Sequence, residues 1–90
     1  KDNDPKSQQK VMAQAYNAQG VCFLANNRPQ DALIAYLHTS ELFYQDPDTH
    51  AEALYQLSKL WELVKKSGEA NRARGLLRER YGDSVWAQKP

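Results

Sequence analysis

Ninety residues fit one domain, and a chain this short buries only part of its surface, so its elements must pack efficiently or lean on neighbours. With 26% charged and 41% hydrophobic residues, wholesale disorder is excluded, and a formal net charge of +1 argues against a strongly electrostatic ligand. The charge is uneven: residues 1–64 carry 5 Lys/Arg and 8 Asp/Glu, residues 65–90 carry 7 and 3, a mild basic end too weak to imply nucleic acid.

Asp4-Pro5 opens the first helix, with a side-chain acceptor at the N-cap and a proline whose missing N–H costs nothing in the first turn. Its stripe is Met12, Tyr16, Gly20 and Phe23, and Asn26-Asn27-Arg28-Pro29 ends it. A second helix runs from about Pro29 to Tyr44, with Ala32, Tyr36, Thr39 and Phe43 on one face and Leu33, Ser40 and Tyr44 beside them. Asp46-Pro47-Asp48 breaks the chain, and Thr49-His50-Ala51-Glu52 reads as a capping box opening the third helix. That helix carries Ala51, Leu54, Leu57, Ser58, Trp61 and Val64, and stops at Ser67-Gly68, where glycine suits the left-handed conformation. The fourth runs from about Glu69 to Tyr81 with Ala70, Ala73, Leu76, Leu77 and Tyr81 inward, and Gly75 as a mild penalty. Gly82 closes it, and Asp83-Ser84 can cap a further turn through Val85-Trp86-Ala87. No segment alternates with the period of a strand, so the class is all-α. Short joints make consecutive helices antiparallel: a first hairpin over 5–45, a second over 46–82, and the start of a further helix or a tail over 83–90.

The hairpins echo each other. Tyr16-Asn17-Ala18-Gln19-Gly20 aligns with Leu54-Tyr55-Gln56-Leu57-Ser58, 54 − 16 = 38, while Ala32 aligns with Ala73, 73 − 32 = 41, as though the second hairpin held an extra turn. In the first, a bulky residue is followed by a small one four later, an aromatic three on, a small one nine further and an aromatic four beyond: Tyr16, Gly20, Phe23, Ala32 and Tyr36. This resembles the tetratricopeptide repeat (TPR). Leu54, Ser58, Trp61, Ala73 and Leu77 follow the same pattern more loosely. Glu79-Arg80-Tyr81-Gly82-Asp83-Ser84 looks like the tyrosine-turn-serine link of longer repeats in bacterial envelope proteins, with Gly82 where proline is usual. The resemblance implies a short stack of hairpins in a right-handed superhelix, with small residues where paired helices cross.

Chemistry is scarce in this sequence. His38 and His50 fall on different helices and read as exposed or capping residues, not metal ligands. Cys22, alone between Val21 and Phe23, reads as a small buried hydrophobe. No phosphate loop, nucleophile elbow or zinc motif is present, so no enzyme, metal or cofactor is expected. No apolar run is long enough to span a membrane. The chain opens on Lys1 without a signal-peptide core, as an excised domain would, which leaves cytoplasm and bacterial envelope both open. Trp61 is expected to be buried and Trp86 more exposed.

The resemblance also implies a binding groove lined by the first helix of each pair: Gln14, Asn17, Val21 and Leu24, with Tyr55, Lys59 and Glu62. Tyr55 beside Lys59 would suit a peptide with an apolar anchor and a carboxylate. On the fourth helix Arg74 and Arg78 share a ridge, and Arg80 falls near the inward stripe, as in a polar capping helix. The expectation is therefore a non-catalytic module that binds a peptide or partner helix, without nucleic acid or membrane insertion. The alternative is a structural element that packs on its parent chain or forms a homodimer, since such arrays usually need about three repeats.

Overall fold

The computed structural model describes residues 5–43 and 46–89. Asp4 and Tyr44, given capping and inward roles above, lie outside the described residues. The order is α1 (Pro5–Ala25), α2 (Pro29–Leu42), α3 (Pro47–Leu63), α4 (Ser67–Tyr81) and the short α5 (Val85–Gln88). The described chain is all-α, built of antiparallel hairpins.

Proline sets two of the starts. Pro29 and Pro47 each occupy the first turn of their helices, where an amide donor would have no partner in the helix. The capping box at Thr49-Glu52 does not open α3. The helix begins a turn earlier, Asp46 is its N-cap, and Thr49 is buried within the first turn with its hydroxyl donating to the Asp46 carboxylate. Ser84 does cap α5, accepting from the Trp86 N–H at 3.1 Å.

Both hairpins turn in the same way. After α1, the Arg28 N–H bonds the Phe23 carbonyl at 2.8 Å and the Asn27 N–H bonds Leu24 at 3.1 Å. After α3, Lys66 bonds Trp61 at 2.7 Å and Lys65 bonds Glu62 at 2.9 Å. This paired closure is a Schellman motif, and its left-handed residue is Asn27 at φ 59° in one case and Lys65 at φ 66° in the other. Gly68 does not supply that conformation. No glycine among the described residues has positive φ, and Gly68 lies inside α4 with open space around it.

The offset stays at 38 through the whole hairpin: 65 − 27 = 38 for the left-handed residue, 70 − 32 = 38 for the first buried alanine of the second helix, and 85 − 47 = 38 for the next helix start. The Ala32 and Ala70 amides donate to Arg28 and Lys66, which are again 38 apart. Ala32 therefore corresponds to Ala70, not Ala73, and the second hairpin contains no extra turn. Tyr36 corresponds to Arg74, and α5 stands where the first helix of a third hairpin would begin.

α1, α3 and α5 lie side by side, with α2 and α4 against them; the backbones of α2 and α4 do not approach each other closely. The shortest dimension, 18 Å, is about the thickness of two helix layers. α3 is central, and Leu54, Leu57 and Leu60 are buried to within a few per cent. Each stabilises the fold by roughly 1.5–3 kcal/mol. α1 turns a different face inward from the one its bulky residues mark. Ala13, Asn17 and Gly20 are buried and Leu24 half-buried, while Met12 is exposed and Tyr16 and Phe23 are half-buried. Cys22 lies on the outer side and is exposed, contrary to its reading as a buried hydrophobe.

Candidate functional site

Position 20 shows how α1 and α2 interlock within the first hairpin. Tyr36 is fully buried, and a Cβ added at Gly20 would collide with its ring. The repeat pattern sets the small residues Gly20 and Ala32 at the crossing of the paired helices; the group seated over Gly20 is the Tyr36 ring, one turn beyond Ala32 along α2. Shifted by 38, the pair becomes Ser58, which is buried, and Arg74, which brings no ring to that position. Both residues instead line a cleft of about 470 Å3 between α3, α4 and α5.

Each wall of the cleft can be traced to local sequence. Tyr55, one turn ahead of Ser58 on α3, stands 5.5 Å from Trp86 between ring centroids, inclined at 44°. Trp86 is held there because Ser84 caps α5 and sets the direction of its single turn. Leu77, nearly fully buried, forms the apolar floor. Lys59 Nζ sits 5.1 Å from the Tyr55 ring centroid and Lys89 Nζ 5.4 Å from that of Trp86, within cation–π range. Arg74 reaches Glu62 at 3.4 Å and Asn71 at 2.8 Å. Arg78 completes the rim. Among the described residues the lining carries four cations, Lys59, Arg74, Arg78 and Lys89, and one carboxylate, Glu62.

Of the seven groove residues read from the sequence, Tyr55, Lys59 and Glu62 come together here. The four on α1 do not line the cleft. Gln14 and Val21 are exposed, Leu24 is half-buried against the core, and Asn17 is buried. Asn17 is not a groove residue: its Nδ2 donates to the Thr49 carbonyl at 3.0 Å and joins the hairpins. Tyr55 is its counterpart, 55 − 17 = 38, and likewise meets the next first-layer helix. Sequence reasoning missed Trp86 as the partner of Tyr55, and Arg78 and Lys89 as residues of the same cleft. The constant offset of 38 would have found Trp86, since it places α5 against α3 as α3 lies against α1.

The remaining polar side chains serve the core. His50 is buried, not exposed or capping. Its Nδ1 lies 2.6 Å from the Tyr81 hydroxyl, edge-on to that ring. Burial lowers its pKa below the usual histidine value, the Arg80 guanidinium lowers it further, and a backbone hydrogen bond at Ser40 opposes both. Arg80 is exposed and lines a small cavity with His50. His38 is exposed and packs on Tyr16 at 5.0 Å between centroids. Trp61 and Trp86 are both half-buried, so Trp61 is not buried as expected.

Burial pushes the Tyr36 pKa up to about 12, with the Glu52 carboxylate adding to the rise. Its hydroxyl has no hydrogen-bond partner among the described residues. Among those residues no group of three or more His, Cys, Asp and Glu could hold a metal ion, and no helix is long and apolar enough to cross a membrane. No family model, curated protein or solved structure matches the chain.

Proposed function

We propose that this chain is a non-catalytic protein-interaction module of the TPR type, one section of a larger scaffold, that binds a peptide or partner helix. The observation that carries the reading is the constant 38-residue translation of the hairpin, down to the same turn closure. In such arrays each unit packs only on its neighbours, so the lateral faces and the last unit's open side are left for other molecules. The test is selection of ligands from an unbiased peptide library, followed by mapping of the chosen peptides by amide chemical-shift changes. Saturable ligands that perturb one contiguous surface support the reading. A library that yields none contradicts it.

A second reading, self-assembly, draws on the apolar residues that α1 leaves outside: Val11 at 63%, Met12 at 49% and Val21 at 50% exposure. If copies pair through this face, the unfolding midpoint rises with protein concentration. A concentration-independent midpoint and a monomer on a sizing column rule it out.

A further inference from the structure

We propose that two copies of this chain pair about a twofold axis through the outer face of the first hairpin, each placing Leu42 in a hollow of the other between Tyr16, Phe23 and Ile34. This rests on the self-assembly reading and fixes its face and its symmetry.

The repeat shows that this face is incomplete. In α3, His50, Leu54 and Leu57 are buried where α2 and α4 pack on that helix. Their counterparts 38 residues earlier are Met12, Tyr16 and Gln19 on α1. Among the described residues only the backbones of α2 and α3 come close to α1. Met12 and Gln19 stay exposed and Tyr16 is half-buried. Beside them on α2, Ile34 at 54% and Leu42 at 57% exposure are more open than buried.

Knob and hollow lie on the same face. Tyr16, Phe23, Asp31, Ile34 and His38 help to line a depression of about 200 Å3 between α1 and α2. Leu42 stands one turn past His38 and two turns past Ala35, which also lines the hollow. Two turns span roughly 10 Å along a helix. A twofold axis midway, near His38, therefore lays each Leu42 over the hollow of the other copy, as a self-complementary contact requires.

Charge permits this apposition. Among the described residues Asp31 is the one carboxylate of the lining, and Arg28 of the same chain holds it at 2.7 Å. No lysine or arginine lines the hollow among those residues. Two copies meet there without unpaired like charges.

The other end of the chain makes a poor partner. α2 presents Leu33 and Leu37 to the core, and their counterparts on α4 are Asn71 and Gly75, with Arg78 in the place of Ser40. Docked on α1 of a second copy, that helix would desolvate an amide and a guanidinium against Met12 and Tyr16. Head-to-tail growth is thereby disfavoured, and the face matches its own copy.

The experiment is sedimentation equilibrium of the whole chain from micromolar to millimolar concentration. A saturating monomer–dimer equilibrium is expected. Species that keep growing with concentration mean an open head-to-tail contact and overturn the proposal. Leu42→Glu and Ile34→Glu, at exposed positions, should each weaken the dimer by at least about tenfold. Val21→Glu, exposed but off this row, should change it by less than about threefold. All three variants should keep their helical circular dichroism when dilute. In a Cys22→Ser background, His38→Cys near the axis should form a disulfide-linked dimer on mild oxidation, and Arg72→Cys on α4 should not. Equal crosslinking at the two positions overturns the twofold arrangement. A dimer indifferent to Leu42→Glu and Ile34→Glu removes this face while self-assembly stands. A monomer at every concentration removes both.

Discussion

The Tyr36 ring occupies the space that a side chain at Gly20 would need. A Cβ there would stand 2.9 Å from Cδ2 of the ring and nearer still to Cζ and Cε2. The ring cannot swing away, because Tyr36 is fully buried between the hairpins. Glycine in a helix interior ordinarily costs about 1 kcal/mol relative to alanine. At position 20 the crossing reverses that preference. Gly20→Ala should lower stability, and Gly20→Leu should lower it by about 1–3 kcal/mol or more through overpacking. Gly75, also inside a helix, has open space around it, so Gly75→Ala should raise stability by up to about 1 kcal/mol. Urea denaturation of the three variants checks both signs, and a stabilised Gly20→Ala would dissolve the crossing.

Removing the Tyr36 hydroxyl tests a different aspect of the same side chain. It is buried without a partner among the described residues, so Tyr36→Phe loses no hydrogen bond and relieves a desolvation cost. Stability at neutral pH should be unchanged or rise by up to about 1 kcal/mol. Since the folded pKa is raised from 10.0 to about 12, the tyrosine's contribution is complete below pH 10 and is lost as pH rises toward 12. Melting temperatures of the wild type should fall more steeply than those of Tyr36→Phe across that window.

His50 sets a dependence at the opposite end of the scale. Its folded pKa lies below the ordinary histidine value of 6.5, so the unfolded chain takes up the proton first. Stability is complete above pH 6.5 and declines as pH falls from there toward the folded pKa. In His50→Gln this part of the slope should vanish. Parallel melting curves for the two proteins between neutral and mildly acidic pH would mean that the ring is not held as described.

Asn17 separates a packed position from a groove position. Its amide nitrogen donates to Thr49 from a site that is 3% exposed. Asn17→Asp replaces a donor by a charge facing a carbonyl, which should cost at least about 2 kcal/mol at neutral pH. Substitution on a solvated face would leave the thermal midpoint within a degree or two.

Helix number, the antiparallel joints and the α5 cap are legible in the sequence, because proline, serine and glycine punctuate it in ways that local physics dictates. The errors have physical causes as well. Asp46-Pro47 carries the same start signal as Asp4-Pro5, but Thr49-Glu52 mimics one a turn later. Lys65 takes the left-handed turn beside a glycine better suited to it, since the closing hydrogen bonds come from residues 65 and 66. Aligning Ala32 with Ala73 favours similarity over spacing and hides that Arg74 stands in the place of Tyr36. Asn17 and His50 escape notice for another reason. Polar side chains are read as surface, whereas here one joins α1 to α3 and the other meets Tyr81 of α4.

The hairpin repeat is tested most directly by a nuclear Overhauser spectrum of the intact chain. Cross-peaks are expected from the Gly20 α-protons to the Tyr36 ring, from the Asn17 side-chain amide to Thr49, and from the Tyr55 ring to the Trp86 indole. A spectrum in which Tyr55 and Trp86 share no peak, or Gly20 sees no aromatic proton, would contradict the 38-residue repeat and the cleft derived from it.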